Sequence, residues 1–348
     1  MWIRTPNAVM ALLALHALVL FADPLAPDAP DRQHRDLALA PPTRLHFVDT
    51  AGRWHLRPLV YPFWMDPASR APREDPSRAM PLQLWSRGAP YRLGGLVGWD
   101  RHLLGVDEPA RLFLLGTDRY GRDLLSRLVI GARPTLYAGL MATVIALGLG
   151  IVIGTVAGYH GGWLDGVLMW LTDACLSLPW FYLLLALRSL LPLDLSPVRT
   201  FLLTAGLVGA VGWARPARLI RAVVLSERDG DHVLAARSCG ATAFRVLARH
   251  VMPQAIGVAV TQAALLAPRY VLAEITLSFL GLGVAEPTAS WGTLTAGMIP
   301  PGLVLSHWWL AAPLGAIVAV VALYDRAARD IEKMPRFGRA PRPTAEAC

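Results

Sequence analysis

Few side chains in this sequence sit where they could do chemistry. The chain holds one lysine, Lys333, and it follows "DIE", so no GxxxxGK[ST] loop exists to cradle a nucleotide triphosphate. Neither HExxH nor GxSxG occurs, and the 9 histidines show no metal-ligand spacing. No catalytic residue, metal site or cofactor is therefore expected in this chain. The 3 cysteines, Cys175, Cys239 and Cys348, form no CxxC pair. Two acids stand out because each falls inside an apolar run, where a charge is costly and marks a pathway, a partner or a cavity. They are Asp173 and Glu274. The alternative for both is an interhelical hydrogen bond that locks a bundle, which is the preferred reading for Glu274. Arg269 lies five positions before Glu274, about 140° round a helix, so the two make a poor pair.

The elements that must position these residues are membrane helices. With 54% hydrophobic and 17% charged residues, and a mean hydropathy of +0.42, the chain is too apolar for a soluble domain. A crossing helix needs about 20 mostly apolar residues. Six runs qualify: about Ala8 to Ala22, Thr135 to Tyr159, Leu164 to Leu187, Thr200 into "WARPARLIR", Gln254 to Val284, and Leu303 to Tyr324. The third contains a "SLP" break at Ser177 to Pro179. The first reads as a retained anchor or as a secretory signal, and "LFA" before Asp23 is a poor cleavage site, which favours the anchor.

A net charge of +8 raises nucleic-acid binding, but that requires a basic patch on a soluble face. Arginines instead crowd Arg215 to Arg249 and the tail from Arg326 to Arg342. The positive-inside rule makes both cytoplasmic, together with the N-terminus at Arg4. The expected organisation is a first helix within 1–22, an external region at 23–127, a transmembrane core at 128–325 and a cytoplasmic tail at 326–348. The fold class is an all-α integral membrane protein with six transmembrane helices and a small mixed external domain between the first two. "RLHFVDTAGRWHLRPLVYPF" in that domain alternates bulky and polar residues around Thr50 to Gly52, which predicts a β-hairpin. Gly150, Gly154 and Gly158 recur every four residues, a helix face that another helix can approach closely. They are no dinucleotide fingerprint, because Gly148, Gly150 and Gly154 give GxGxxxG with no strand before it.

Between the fourth and fifth runs lies "HVLAARSCGATAFRVLARHVMP". Val233, Leu234 and Ala236, then Phe244, Val246, Leu247 and Val251, predict two short amphipathic pieces hinged at Gly240, with Arg237, Arg245 and Arg249 mostly on the other face. Physics alone divides this segment between an interfacial helix on anionic lipid and a docking site for a cytoplasmic partner.

"AARSCGATAFRVLARHVMP" resembles the cytoplasmic coupling loop of ABC-transporter permeases, a Glu-Ala-Ala triplet followed by a glycine and closed by an aliphatic residue and Leu-Pro. Ala235, Ala236, Gly240 and Pro253 match, while Leu234 stands in place of the glutamate and Met252 in place of the leucine. "LLGTDRYGRDLLSRLVIGARPTL" and "AEITLSFLGLGVAEPTASWG" resemble segments of the binding-protein-dependent importers of peptides and nickel, in the same order. The likeness runs from about Leu114 to Tyr324. It implies a fold like that of type I ABC importer permeases, and a permease subunit taking up oligopeptides or dipeptides across the bacterial cytoplasmic (inner) membrane. ATP and magnesium would then be bound by two partner ATPase subunits, and the other partners would be a second homologous permease and an external solute-binding protein. The ATPase-coupling residues implied are Leu234, Ala235, Ala236, Gly240, Phe244, Arg245 and Pro253 in segment 231–253. Asp173 and Glu274 are the candidate translocation-path residues, where they could attract a peptide amine. The alternatives are a nickel or other small-solute permease of the same family, a self-sufficient secondary transporter, and an anchored scaffold for the external region. A secondary transporter would show internal repeats with helices broken at matching positions, and the sequence shows only the break at Pro179.

Overall fold

The computed structural model describes residues 7–66, 72–93, 97–192, 195–298 and 301–333. Arg4, Arg336, Arg339, Arg342 and Cys348, and the tail from 334 onward, lie outside them. Along the chain come α1 (Asn7–Leu20), then β1 (His46–Val48), β2 (Trp54–Val60), β3 (Phe63–Met65), β4 (Pro72–Glu74), β5 (Met80–Pro81), β6 (Gln83–Leu93) and β7 (Val97–Gly105). The helices that follow are α2 (Leu124–His160), α3 (Gly162–Ser177), α4 (Trp180–Ser189), α5 (Pro197–Val211), α6 (Ala214–Glu227), α7 (Asp231–Ser238), α8 (Ala243–Val246), α9 (Met252–Phe279), α10 (Trp291–Ala296), α11 (Pro301–Ser306) and α12 (Ala312–Glu332).

Contacts divide the chain into two compact units. One comprises Met1–Leu13, Tyr137–Glu274 and Val320–Cys348. Its interior is built on α6, whose first turns pack into the glycine stripe of α2. A Cβ on Gly150 would come within 2.6 Å of Pro216, one on Gly154 would run into the Ala217 carbonyl, and one on Gly158 would meet the Arg221 carbonyl at 2.8 Å. The backbones therefore touch where side chains would otherwise hold them apart. In the same unit the Ala8 amide donates to Asp330 Oδ2 at 3.4 Å, so the start of α1 meets the end of α12.

The other unit comprises Ala14–Leu136 and Ile275–Ala319. Three small antiparallel sheets, β1-β2-β5, β3-β4 and β6-β7, cover two apolar clusters. Val60, Ala110 and Leu112 centre one cluster, and Leu37, Ala40 and Phe113 the other. The hairpin about Thr50 to Gly52 forms, with Val48 opposite Trp54. Asp123 caps α2 by accepting from the Ser126 amide at 2.8 Å and its hydroxyl at 2.5 Å. Glu286 ties the loop after α9 to this helix start, accepting from Arg122 Nη1 at 2.6 Å and Arg127 Nη2 at 2.9 Å.

Six spans are not what the described residues display. Three helices are long and apolar enough to cross a membrane, or up to five if each bent pair is one span. At 14 residues, α1 is apolar but short. The expected third run bends by 86° between α3 and α4, at the sequence's own "SLP". The fourth bends by 45° between α5 and α6, a break that the sequence reading missed. The sixth is corrected at both ends: α11 stops at Ser306, and the last helix runs past Tyr324 to Glu332. An Asp325 to Arg329 ion pair at 2.5 Å, one helical turn apart, supports that extension.

Candidate functional site

The segment Asp231–Val251 forms a helix, a turn and a second helical piece. Gly240 adopts φ +78°, the left-handed conformation that terminates helices. Its amide bonds the Arg237 carbonyl at 2.9 Å, and the next amide, Ala241, reaches back to Ala236 at 3.0 Å. This pair of bonds is a Schellman cap, and it satisfies carbonyls that α7 would otherwise leave bare. Thr242 then caps α8 by accepting from the Arg245 amide at 3.4 Å. Leu247–Val251 form a wide π turn just before Pro253. A proline has no amide to give to the preceding turn and crowds its carbonyl, and the wider turn relieves both problems.

Beneath this segment, Val233, Val246 and Val251 are buried with Ile220, Val224, Ala255 and Ala259, and Ala236, Ala241 and Leu247 pack beside them. Above it, Leu234 is 50% exposed and Phe244 is 80% exposed. Ala235, Arg237, Arg245 and Arg249 are exposed too. Each of the two amphipathic pieces expected from the sequence thus carries an exposed apolar side chain as well as a buried one. The cap at Gly240 turns the chain, so α7 and α8 share no continuous stripe. Each buries one valine and leaves its other large apolar side chain in the open among arginines.

Arginines of α6 strap this surface to the neighbouring helices. Arg221 clamps Asp165 of α3 with Nε to Oδ1 at 3.0 Å and Nη2 to Oδ2 at 2.5 Å. Arg218 pairs with Asp173. Arg228 donates to the Gly158 and Tyr159 carbonyls at the end of α2, at 3.0 and 3.4 Å. Pairing 218 with 173 and 221 with 165 fixes α6 antiparallel to α3. Val233 and Val246 pack with Ile220 and Val224 of α6, the helix that these bonds join to α2 and α3. Of the two acids that fall in apolar runs, Asp173 meets a cation, and Glu274 is buried within α9. Neither acid lines the pocket beside Cys175. The clamp between Arg221 and Asp165 went unread because the two lie far apart in sequence with no local pattern to link them.

Among the described residues no group of three or more His, Cys, Asp or Glu could hold a metal ion. Residues 150–333 match the family described as "Binding-protein-dependent transport system inner membrane component". A dipeptide transport system permease protein of Bacillus subtilis (strain 168) is 36% identical over 56% of this chain and 58% of its own length, so less than two thirds of that relative is spanned. An oligopeptide transport system permease protein of the same organism is 34% identical over 62% of this chain and 69% of its own. Among solved structures, a chain of the MetNI methionine ABC transporter in inward facing conformations aligns with a TM-score of 0.44 at 19% identity, over 59% of this chain and 95% of that one.

Proposed function

The chain belongs to the family of binding-protein-dependent transport system inner membrane components, and from that premise we propose that it is one membrane-spanning subunit of an ATP-driven importer of dipeptides or oligopeptides. The similar Bacillus proteins are named as dipeptide and oligopeptide transport permeases, which favours peptide over nickel. A phosphate-binding loop is absent from the sequence, so separate ATPase subunits supply the energy. A second permease, an external solute-binding protein and a bacterial inner membrane complete the proposed setting. The bond between Ala8 and Asp330 supports the start of α1 and the end of α12 on one side of the membrane, and the strand-rich residues 46–105 fit an external region.

The observation that carries the reading is the exposure of Leu234 and Phe244 over a core that is itself fully packed. A bare phenylalanine among arginines suits a lipid surface or a partner's groove, and membership of a transport-component family favours the partner. Seating that side chain in a groove of a partner gains about 1.5–3 kcal/mol, and the arginines remain wet at the rim or meet acids there. ATP-driven closure of the partners then moves α7 and α8. The straps from α6 to α2 and α3 carry that displacement to the membrane helices, and the central path alternates between its two sides.

The test uses Phe244→Asp and Gly240→Val in the assembled transporter. Phe244→Asp places an unpaired charge in the groove, and Gly240→Val strains a left-handed turn, although nothing lies within 4 Å of the new Cβ. Both variants are expected in the membrane at normal levels, with the ATPase subunits lost on co-purification and peptide uptake abolished. Retention of ATPase and full uptake by both would overturn the coupling role and return the segment to the lipid surface.

A further inference from the structure

The two bent helix pairs share a cavity. Cys175, Leu178 and Trp180 line it from the break between α3 and α4, Gly212 and Arg215 from the break between α5 and α6, and Arg269 from α9. It holds roughly 190 Å3. The residue before Arg269 is Pro268, an internal proline that frees a carbonyl one turn earlier. Two helix pairs are thus broken at one place, with a proline of the continuous α9 beside them, a pattern tolerated at membrane depth where the backbone lines a cavity. Arg215 stands roughly 18 Å along α6 from Glu227, and Arg269 roughly 25 Å along α9 from Met252.

The charge of this cavity is settled by pairing. Asp173 is taken by Arg218. Among the described residues neither Arg215 nor Arg269 has an acidic partner, and both side chains are exposed. The starts of α4 and α6 bring positive helix ends, while the ends of α3 and α5 bring negative ones, so the dipoles roughly offset each other. The Gly212 carbonyl is already used, accepting from the Tyr270 hydroxyl at 3.1 Å. What remains is two guanidinium groups, donors without acceptors, suited to a carboxylate. The sign is opposite to what Asp173 and Glu274 suggested from sequence, where an amine would have been drawn in.

We propose that Arg215 and Arg269 form a carboxylate-binding site in the translocation path that holds the C-terminal carboxylate of a peptide in transit. The proposal rests on the importer reading above. It is tested on the complete transporter in proteoliposomes, with radiolabelled alanyl-alanine, for wild type, Arg215→Gln, Arg269→Gln, the double variant and Arg269→Lys. Each Gln variant should lower uptake about tenfold, the double further, and the Lys variant should keep most of it. ATPases and second permease should co-purify throughout. In parallel, binding to the assembly without its binding protein is compared for alanyl-alanine and alanyl-alanine amide. The free acid should bind wild type about tenfold more tightly, with the preference lost in the double variant.

Undiminished uptake in the double variant, or an unchanged preference for the free acid, overturns the site. A double variant that sheds the second permease overturns it in favour of an ion pair across that interface. Activity that needs phosphatidylglycerol and fails in phosphatidylcholine, with no preference for the free acid, overturns it in favour of a lipid phosphate. Wild type that moves no peptide at all refutes the importer reading instead, and so tells the two failures apart.

Discussion

Asp123 shows how far one enclosed carboxyl can be driven from its solution behaviour. Burial pushes its pKa up to about 7, against the bonds from Ser126 that act the other way, and the nearby Asp28 adds to the rise. A carboxyl whose folded pKa is raised favours the folded state in its protonated form. That contribution is complete below the unfolded value of 3.8 and is lost as pH climbs through about 7. Thermal melting should therefore show stability falling between about pH 4 and pH 7 from this group. Asp123→Asn keeps an acceptor for Ser126 and should flatten that limb while raising the melting temperature at pH 8. An unchanged slope would mean that the cap is not the titrating group. The sequence showed Asp123 only as part of "GTDRYGRD", since burial comes from packing rather than from the local pattern. Asp173 was legible as an anomaly, and its partner was not, because Arg218 comes from another helix.

Elements were legible where local chemistry dictates them. The hairpin at Thr50 to Gly52 follows from alternation and a turn, and the bend at Pro179 from a proline. The bend at Gly212 was hidden, because "GWARPARLIR" keeps its helical pattern across the break and only packing reveals the 45° change. The end of α12 was misplaced for the opposite reason: the apolar run stops near Tyr324, but the helix continues as an amphipathic one. The glycine stripe of α2 carries a prediction at this scale. Gly154→Val forces a branched side chain into the Ala217 carbonyl and the Ile220 side chain, at a cost of about 1–3 kcal/mol or more. Since α6 also carries the straps to α3, displacing it should impair uptake and speed tryptic cleavage after Arg228, while Gly148→Val, in open space, should do neither. Equal behaviour of the two variants would show that the helix contact is dispensable.

At the scale of the whole molecule, the proposed topology places residues 23–127 outside and the surface of α7 and α8 inside. In a cysteine-free background, Arg53→Cys should react with an impermeant maleimide added to spheroplasts, and Arg245→Cys only with inverted vesicles. The reverse pattern would invert the topology. Composition made the membrane class readable at once, whereas the count of crossings depends on how bent helices sit in lipid. One consequence remains in Phe244. The surface proposed to seat partners is, on a newly made and unassembled subunit, a bare apolar patch of the kind that quality-control proteases read as damage. Its lifetime in the cell should therefore track the supply of its partners, so that excess copies are cleared and stoichiometry is kept without dedicated regulation. An assembly interface of this kind doubles as a degradation signal that is switched off by being covered.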